Sequence, residues 1–270
     1  MPFKLNKTRN RAEYIYLPVF ILLICCAVNS GAQSTYRINT GIGPGNFALR
    51  DQGMSPLMYT GTGFSGALSL ERYSHAKTAV FQLKYDRAGI NNNFGNSCTF
   101  RSFAFKNKTL YHKNREKQNR IVWGWSNNNY FNYYKNTEFV NYQERSNYFT
   151  TFGPAAAYTR HFTLFGKKLI FELPADVQLI GFFLRPSYVS NSPEGYLNPE
   201  NPGVKAWFSS IEAFLPGKAW NFGISPKISY MLKPGNILSI NYQYEFFRIS
   251  NPEPVTQSTG IWYLSLTTLL

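Results

Sequence analysis

Residues 236–246 alternate without a break. Leu238, Ile240, Tyr242, Tyr244 and Phe246 are apolar or aromatic, and Ser239, Asn241, Gln243 and Glu245 between them are polar. Successive side chains of a β-strand point to opposite faces, so this stretch predicts a strand with one apolar and one polar face. The stretch before it has the same character. Phe222, Ile224, Ile228, Tyr230 and Leu232 share one face, and Asn221, Ser225, Lys227 and Ser229 share the other. Lys233, Pro234, Gly235 and Asn236 form a turn between the two.

The same period runs through most of the chain. Segments 57–73, 76–87, 98–111, 120–132, 146–161, 167–184, 204–215, 219–232, 236–250 and 257–270 are strand candidates. Segment 76–87 sets Ala79, Phe81, Leu83 and Tyr85 against Thr78, Gln82, Lys84 and Asp86. Segment 167–184 sets Leu169, Phe171, Leu173, Val177, Leu179 and Phe183 against Glu172, Asp176 and Gln178. In 98–111 the period is weaker because the aromatics change face, and 204–215 is mixed. Pro154, Pro174 and Pro226 fall inside candidates. Each removes a ladder donor and marks a bulge or a strand end, so 167–184 is expected to bend near Pro174. Loops are expected at 90–97, 133–145 and 185–203. Residues 33–56, with Gly41, Gly43, Gly45 and Gly53, read as an irregular segment, 37–42 being a short strand or a stretch lying in a lumen.

The N-terminus says where these strands are used. Lys4, Lys7, Arg9 and Arg11 precede a mostly apolar run at 15–28, and Ser30, Gly31 and Ala32 supply small residues before Gln33. This is the pattern of a cleaved signal peptide spanning 1–32. The apolar run is shorter than the ~20 residues of a membrane helix. Cys25 and Cys26 leave with the leader, so the mature chain keeps only Cys98 and makes no internal disulfide. With no later apolar run long enough for a helix, strands must span any membrane the mature protein occupies. The 19 tyrosines and 23 phenylalanines favour pleated surfaces and bilayer interfaces. The fold expected is all-β: an antiparallel transmembrane β-barrel over 57–270 with about ten strands, in a range of roughly eight to twelve, in a bacterial outer membrane. A soluble secreted β-sandwich is the alternative, but its core would be richer in Val, Ile and Leu. One relationship does not close: if Leu270 ends at the periplasm, the strand count puts the long 185–203 loop on the periplasmic side too.

Charge adds candidates. The net charge is +14, of which the leader carries +3 (four cations less Glu13), leaving +11. Arg101, Lys106, Lys108, Lys113, Arg115, Lys117 and Arg120 sit in one run with Glu116 alone opposing them. They are candidates for contact with anions or lipopolysaccharide phosphates; an exported barrel would not meet nucleic acid. On the polar faces, Glu71, Lys84, Asp86, Glu172, Asp176, Lys227, Gln243 and Glu245, with Arg248 beside them, are expected in the lumen. There they either form a charge constriction or fill a narrow interior.

The signal peptide, the two-residue period, the Asn/Tyr-rich loops and the apolar terminal strand at 260–270 resemble a bacterial outer-membrane β-barrel of porin-like architecture. The resemblance covers 57–270. It implies that the last strand is read by the barrel-insertion machinery; the chain departs from the usual aromatic terminus by ending in Leu269 and Leu270. It implies membrane lipids as partners and admits an envelope complex.

No catalytic set is legible. The histidines are His75 at a turn, His112 in the basic run and His161 at a strand end, with Thr163 two residues on. A lipid hydrolase would want a serine beside its histidine. The metal-binding spacings Cys-x-x-Cys and His-x-x-x-His are absent, and no cofactor is expected. The expected role is non-enzymatic: a small pore, a surface binding protein or an accessory subunit. A lipid-modifying barrel enzyme is the alternative, with His161 as its candidate.

Overall fold

The structure, a computed structural model, describes residues 34–112, 119–136, 144–185, 211–232, 235–251 and 253–270. The strand segments are β1 (Thr35–Asp51), β2 (Tyr59–Tyr73), β3 (Lys77–Asn91), β4 (Ser97–Tyr111), β5 (Asn119–Asn136), β6 (Glu144–Leu164), β7 (Lys167–Gln178), β8 (Ile180–Leu184), β9 (Glu212–Phe214), β10 (Ala219–Ile224), β11 (Lys227–Met231), β12 (Ile237–Ile249) and β13 (Val255–Leu269). They form ten staves, because β7 with β8 makes the seventh and β9, β10 and β11 together make the eighth. Every pairing is antiparallel, and β13 pairs with β1 from Arg37↔Leu269 to Asp51↔Val255, which closes the barrel. The closed ring leaves no edge strand unpaired.

The alternation decides which way each stave faces. Large apolar side chains point out and stay exposed around the whole ring: Ile42, Phe64, Tyr85, Phe103, Trp123, Phe152, Phe222, Ile240, Trp262 and Leu264. A water-facing surface would not carry a continuous apolar belt on every stave, and a lipid-facing one requires it. The fold is therefore that of a transmembrane barrel.

Four sequence expectations change. Residues 33–56 were expected to be irregular, yet Thr35–Asp51 is a full stave. Its inward positions 41, 43 and 45 are glycines, so it shows no hydropathy contrast. Gly43 is held tight against β13, where an added Cβ would lie 1.5 Å from the Trp262 carbonyl oxygen. Of the expected strand 204–215, the described residues form only the three-residue β9. Ten strands are present, but β1 supplies one of them and 204–215 is not a stave of its own. Losing 204–215 as a separate stave leaves three staves, not four, after the 185–211 connection, which puts that connection at the opposite end from Leu270 and removes the topological conflict.

The seventh stave breaks at Leu179, not at Pro174. Pro174 stays in register opposite Ala157, whereas the β6 pairing shifts by one residue between Ala155↔Asp176 and Phe152↔Ile180. Leu179 is the extra residue, and its N–H still reaches the Phe152 carbonyl at 3.0 Å. Such a bulge reverses the alternation beyond it. Leu179 and Ile180 are both exposed, and Phe183, expected on the outer face, turns inward and is buried. Pro226 interrupts the eighth stave without a shift, since Ile224↔Tyr244 and Lys227↔Asn241 keep one register.

The two ends differ. Short turns at Ser74–His75–Ala76 and Phe165–Gly166 lie at the end where β1 begins and β13 stops. Phe165 and Gly166 both take positive φ, 50° and 71°, the geometry that a two-residue hairpin turn needs. The connections 52–58, 92–96, 137–143, 185–211 and 250–254 all lie at the opposite end.

Candidate functional site

From the long-loop end inwards, the lumen is built in layers. The rim is tied by a fully buried ion pair. Arg185 Nη2 meets Asp51 Oδ1 at 3.0 Å, with both side chains 0 % exposed. Arg185 Nη1 also donates to the carbonyls of Asn251 (3.2 Å) and Glu253 (2.7 Å), and Asp51 accepts the Gly53 N–H at 3.0 Å. One arginine thus fastens three of the connections at that end.

Below the rim lies an apolar core inside the barrel. Phe47, Leu49, Met54, Tyr59, Ile90, Phe100, Tyr134, Phe149, Phe183, Phe214, Phe247 and Ile249 form one buried cluster. Phe149 stacks on Phe247 with centroids 4.1 Å apart and planes 11° apart, and Phe100 stacks on Tyr134 at 5.5 Å. These rings fill the space that an open pore would leave to water. The sequence did signal it: the aromatics change face in 98–111 because Phe100 belongs to this core while Phe103 and Phe105 face out.

The third layer is charged and spans the lumen. Lys84 pairs with Asp86 (3.2 Å) and Glu245 (3.3 Å), and Lys106 pairs with Glu245 from the opposite wall. Gln243 Nε2 donates to the same carboxylate at 2.5 Å. Ser65 donates to Asp86 at 2.5 Å and meets the Tyr263 hydroxyl at 2.5 Å. Beside it, Asp176 accepts from Lys108 (2.6 Å), Asn128 (3.1 Å) and Gln178 (2.9 Å).

Beyond this layer, towards the short-turn end, the lumen opens into a cavity of about 190 Å³. Its mouth carries Tyr73, His112, Arg120, Glu172 and Lys227. Lys227 pairs with Glu172 at 2.5 Å, and the Tyr73 hydroxyl donates to Glu71 at 2.5 Å. Four cations (Lys106, Lys108, Arg120, Lys227) and four carboxylates (Glu71, Glu172, Asp176, Glu245) line it, so it offers no net formal charge.

All eight residues expected in the lumen face it. Glu71, Glu172, Asp176, Lys227, Gln243 and Glu245 line the cavity, while Lys84 and Asp86 are buried in its floor. Arg248 does not join them, because its position in β12 faces outwards. The basic run divides. Lys106, Lys108 and Arg120 occupy inward positions and line the cavity, which removes them from any outer surface. Arg101 points outwards; its guanidinium lies 6.0 Å from the Tyr133 ring centre. Lys113, Arg115 and Lys117 lie outside the described residues. Outward Arg87 stands directly opposite Arg101, one step beyond the Tyr85↔Phe103 pair, and the sequence reading missed it.

The histidines do not assemble a site. His161 is exposed at the end of β6, opposite Ile170. His112 Nε2 and the Thr78 hydroxyl are 2.6 Å apart at the cavity mouth. Among the described residues, no group of three or more His, Cys, Asp or Glu side chains could hold a metal ion.

No known protein family matches the sequence, and neither does any curated protein. Solved structures with a similar fold include the translocator domain of the autotransporter NalP from Neisseria meningitidis. It shares 10 % identity over 94 % of this chain and 95 % of that one, with a TM-score of 0.40. An outer membrane channel from Pseudomonas putida F1 shares 8 % identity over 89 % of this chain and 97 % of that one, with a TM-score of 0.37. A monoaromatic hydrocarbon channel, CymD, shares 8 % identity over 87 % and 88 %, with a TM-score of 0.27.

Proposed function

We propose that this protein is an integral outer-membrane barrel that works by binding, without covalent chemistry, and is closed towards the cell exterior. The apolar core inside the long-loop half supports this most directly. A diffusion channel needs a continuous wetted path, and twenty buried residues from Phe47 to Tyr263 occupy that path in one cluster. Short turns on the periplasmic side and long loops outside are the usual arrangement for such barrels, so the polar cavity faces the periplasm. The protein is then a periplasm-facing vestibule, suited to holding a small solute or anchoring an envelope complex. Its outer surface meets membrane lipids, with the phosphates of lipopolysaccharide at Arg87 and Arg101; like charges opposite each other in a sheet are unfavourable until an anion joins them.

Refolded protein in a planar bilayer tests the reading. Silence at moderate voltage is the expected result, and a steady ohmic conductance would overturn it. The lipid-hydrolase alternative would rest on His161, which is exposed near the end of β6. An altered phospholipid or lipid A profile on deleting the gene, restored by the wild type and not by His161→Ala, would reinstate it.

A further inference from the structure

Two arginines at the short-turn end have no carboxylate to pair with. Several inward-facing residues near that opening come from strand ends: Arg37 near the start of β1, Tyr73 at the end of β2, His112 just past β4 and Arg120 near the start of β5. None of these four is acidic. Arg37 and Arg120 are half-buried, yet among the described residues neither has a carboxylate oxygen within ion-pairing distance. Of each guanidinium only the Nε is enclosed by protein, so the terminal nitrogens of the fork stay open to solvent.

The two forks converge on one small region rather than being strung along a wall. Both lie within electrostatic reach of the same carboxylate, Glu172. Arg120 reaches it along its own side of the barrel. Arg120 stands opposite Thr159, and Thr159 opposite Glu172, so the two Cα atoms are roughly 10 Å apart at ~4.8 Å per stave. Arg37 approaches from the other side, where its guanidinium lies 4.9 Å from the ring centre of Tyr73, and Tyr73 is itself within reach of Glu172 and Lys227. The nearby carboxylates are already engaged. Glu172 holds Lys227 at 2.5 Å, and Glu71 accepts the Tyr73 hydroxyl at 2.5 Å. Arg37 stands outside the cavity lining, and with it the mouth carries three cations, Arg37, Arg120 and Lys227, against two carboxylates, Glu71 and Glu172.

A half-buried charge without a counter-ion is costly, and a ligand of opposite sign recovers that cost. The planar guanidinium fork matches the two oxygens of a carboxylate or phosphate. Low-dielectric walls around a narrow opening focus the field of the surplus charge onto it. Behind the opening, the cavity of about 190 Å³ has room for the rest of a small molecule.

We infer that this mouth binds the oxyanion group, phosphate or carboxylate, of a small solute between the guanidinium forks of Arg37 and Arg120, with the body of the solute in the cavity behind. This rests on the proposed reading of the lumen as a closed, periplasm-facing vestibule. Inorganic phosphate, acetate and D-glucose are titrated calorimetrically into the detergent-solubilised full barrel. Saturable heat from at least one of the two anions, weakening as sodium chloride is raised, and none from glucose is expected. Arg37→Gln and Arg120→Gln each remove one fork and should each weaken binding about tenfold or more. Arg120→Lys keeps the charge without the fork and should recover only part of that loss. On the wild type, the bound anion should protect Arg37 and Arg120, but not outward Arg101, from phenylglyoxal, read by peptide mass spectrometry. This arm decides the matter even if the variants lose their heat-modifiable migration on a gel. No saturable heat from either anion, heat from glucose, undiminished affinity in either folded variant, or no protection at the two arginines would overturn the inference. The same preparation is tested in a planar bilayer. Conductance there would fail the vestibule reading itself, whereas silence without anion binding would fail this inference alone.

Discussion

Lys106 and Glu245 are ion-paired across the full width of the lumen. They come from the fourth and ninth of ten staves, which stand opposite each other in the ring. Both side chains are mostly buried, at 13 % and 12 % exposure. Removing one partner of such a pair leaves an uncompensated charge. Glu245→Gln should lower stability to denaturant by about 3–5 kcal/mol, followed as the loss of heat-modifiable migration in urea. The double change of Lys106 and Glu245 to Met should cost clearly less than the sum of the single changes; additive losses would show that the pair is not coupled.

The rim pair is stricter, because Asp51 and Arg185 are both fully buried. Arg185→Met should cost a comparable ~3–5 kcal/mol and loosen the long-loop end first. Hydrogen exchange should accelerate at Gly53 and around 250–255 before it does so in β3. Uniform acceleration across the barrel would contradict a local fastening role.

The apolar core is the barrier to conduction. Phe149→Ala with Phe247→Ala removes the closest ring stack and leaves the ladder hydrogen bonds intact. Each large-to-small change should cost about 3–5 kcal/mol. If the core seals the lumen, the double variant should also show brief openings in a bilayer that is silent with the wild type. A stable, silent double variant would move the seal to the charged layer.

Outside the belt, Glu144 accepts hydrogen bonds from Lys135, at 2.7 Å, and from the Tyr133 hydroxyl. Those bonds, the Lys135 one foremost, hold its carboxyl below the usual glutamate range. A carboxyl depressed on folding adds stability above its unfolded value and loses it as pH falls through its folded value. Amide protection at the β5–β6 end should therefore weaken on acidification through and below the carboxylate range, and Lys135→Met should reduce that pH dependence, leaving the part due to Tyr133. Both groups are well exposed, so the effect should be small and screened by salt.

Arg87→Ala with Arg101→Ala should reduce co-purifying lipopolysaccharide while leaving the folded, heat-modifiable form unchanged. Equal retention by the variant would place lipopolysaccharide contact elsewhere.

The faces of the eighth and ninth staves were legible because their inner residues are polar and their outer ones apolar. Legibility failed where the lumen is not polar. In β1 the inward positions 41, 43 and 45 are glycines, so little contrast exists to be read, and a stave was taken for an irregular segment. In β4 the inner face is Phe100 and Ala104 above Lys106 and Lys108, so one strand reads as two conflicting patterns. The basic run was visible as composition, but only the register reveals that three of its four described members, Lys106, Lys108 and Arg120, are interior. Six residues of the cavity wall were legible as lumenal, but that they enclose one space was not, because its lining comes from many staves and meets only through their pairing.

The lumenal core also changes what holds this barrel together. A barrel with a wetted interior is stabilised chiefly by its ladder and by its lipid contacts. Here the rings of Phe100, Phe149, Phe214 and Phe247 are hidden from water by the protein itself, as in a cytosolic enzyme. That burial gains its free energy from water alone and is indifferent to the acyl chains outside. The long-loop half should therefore hold its shape even in thin bilayers and short-chain micelles, where the lipid contacts of the belt are weakest.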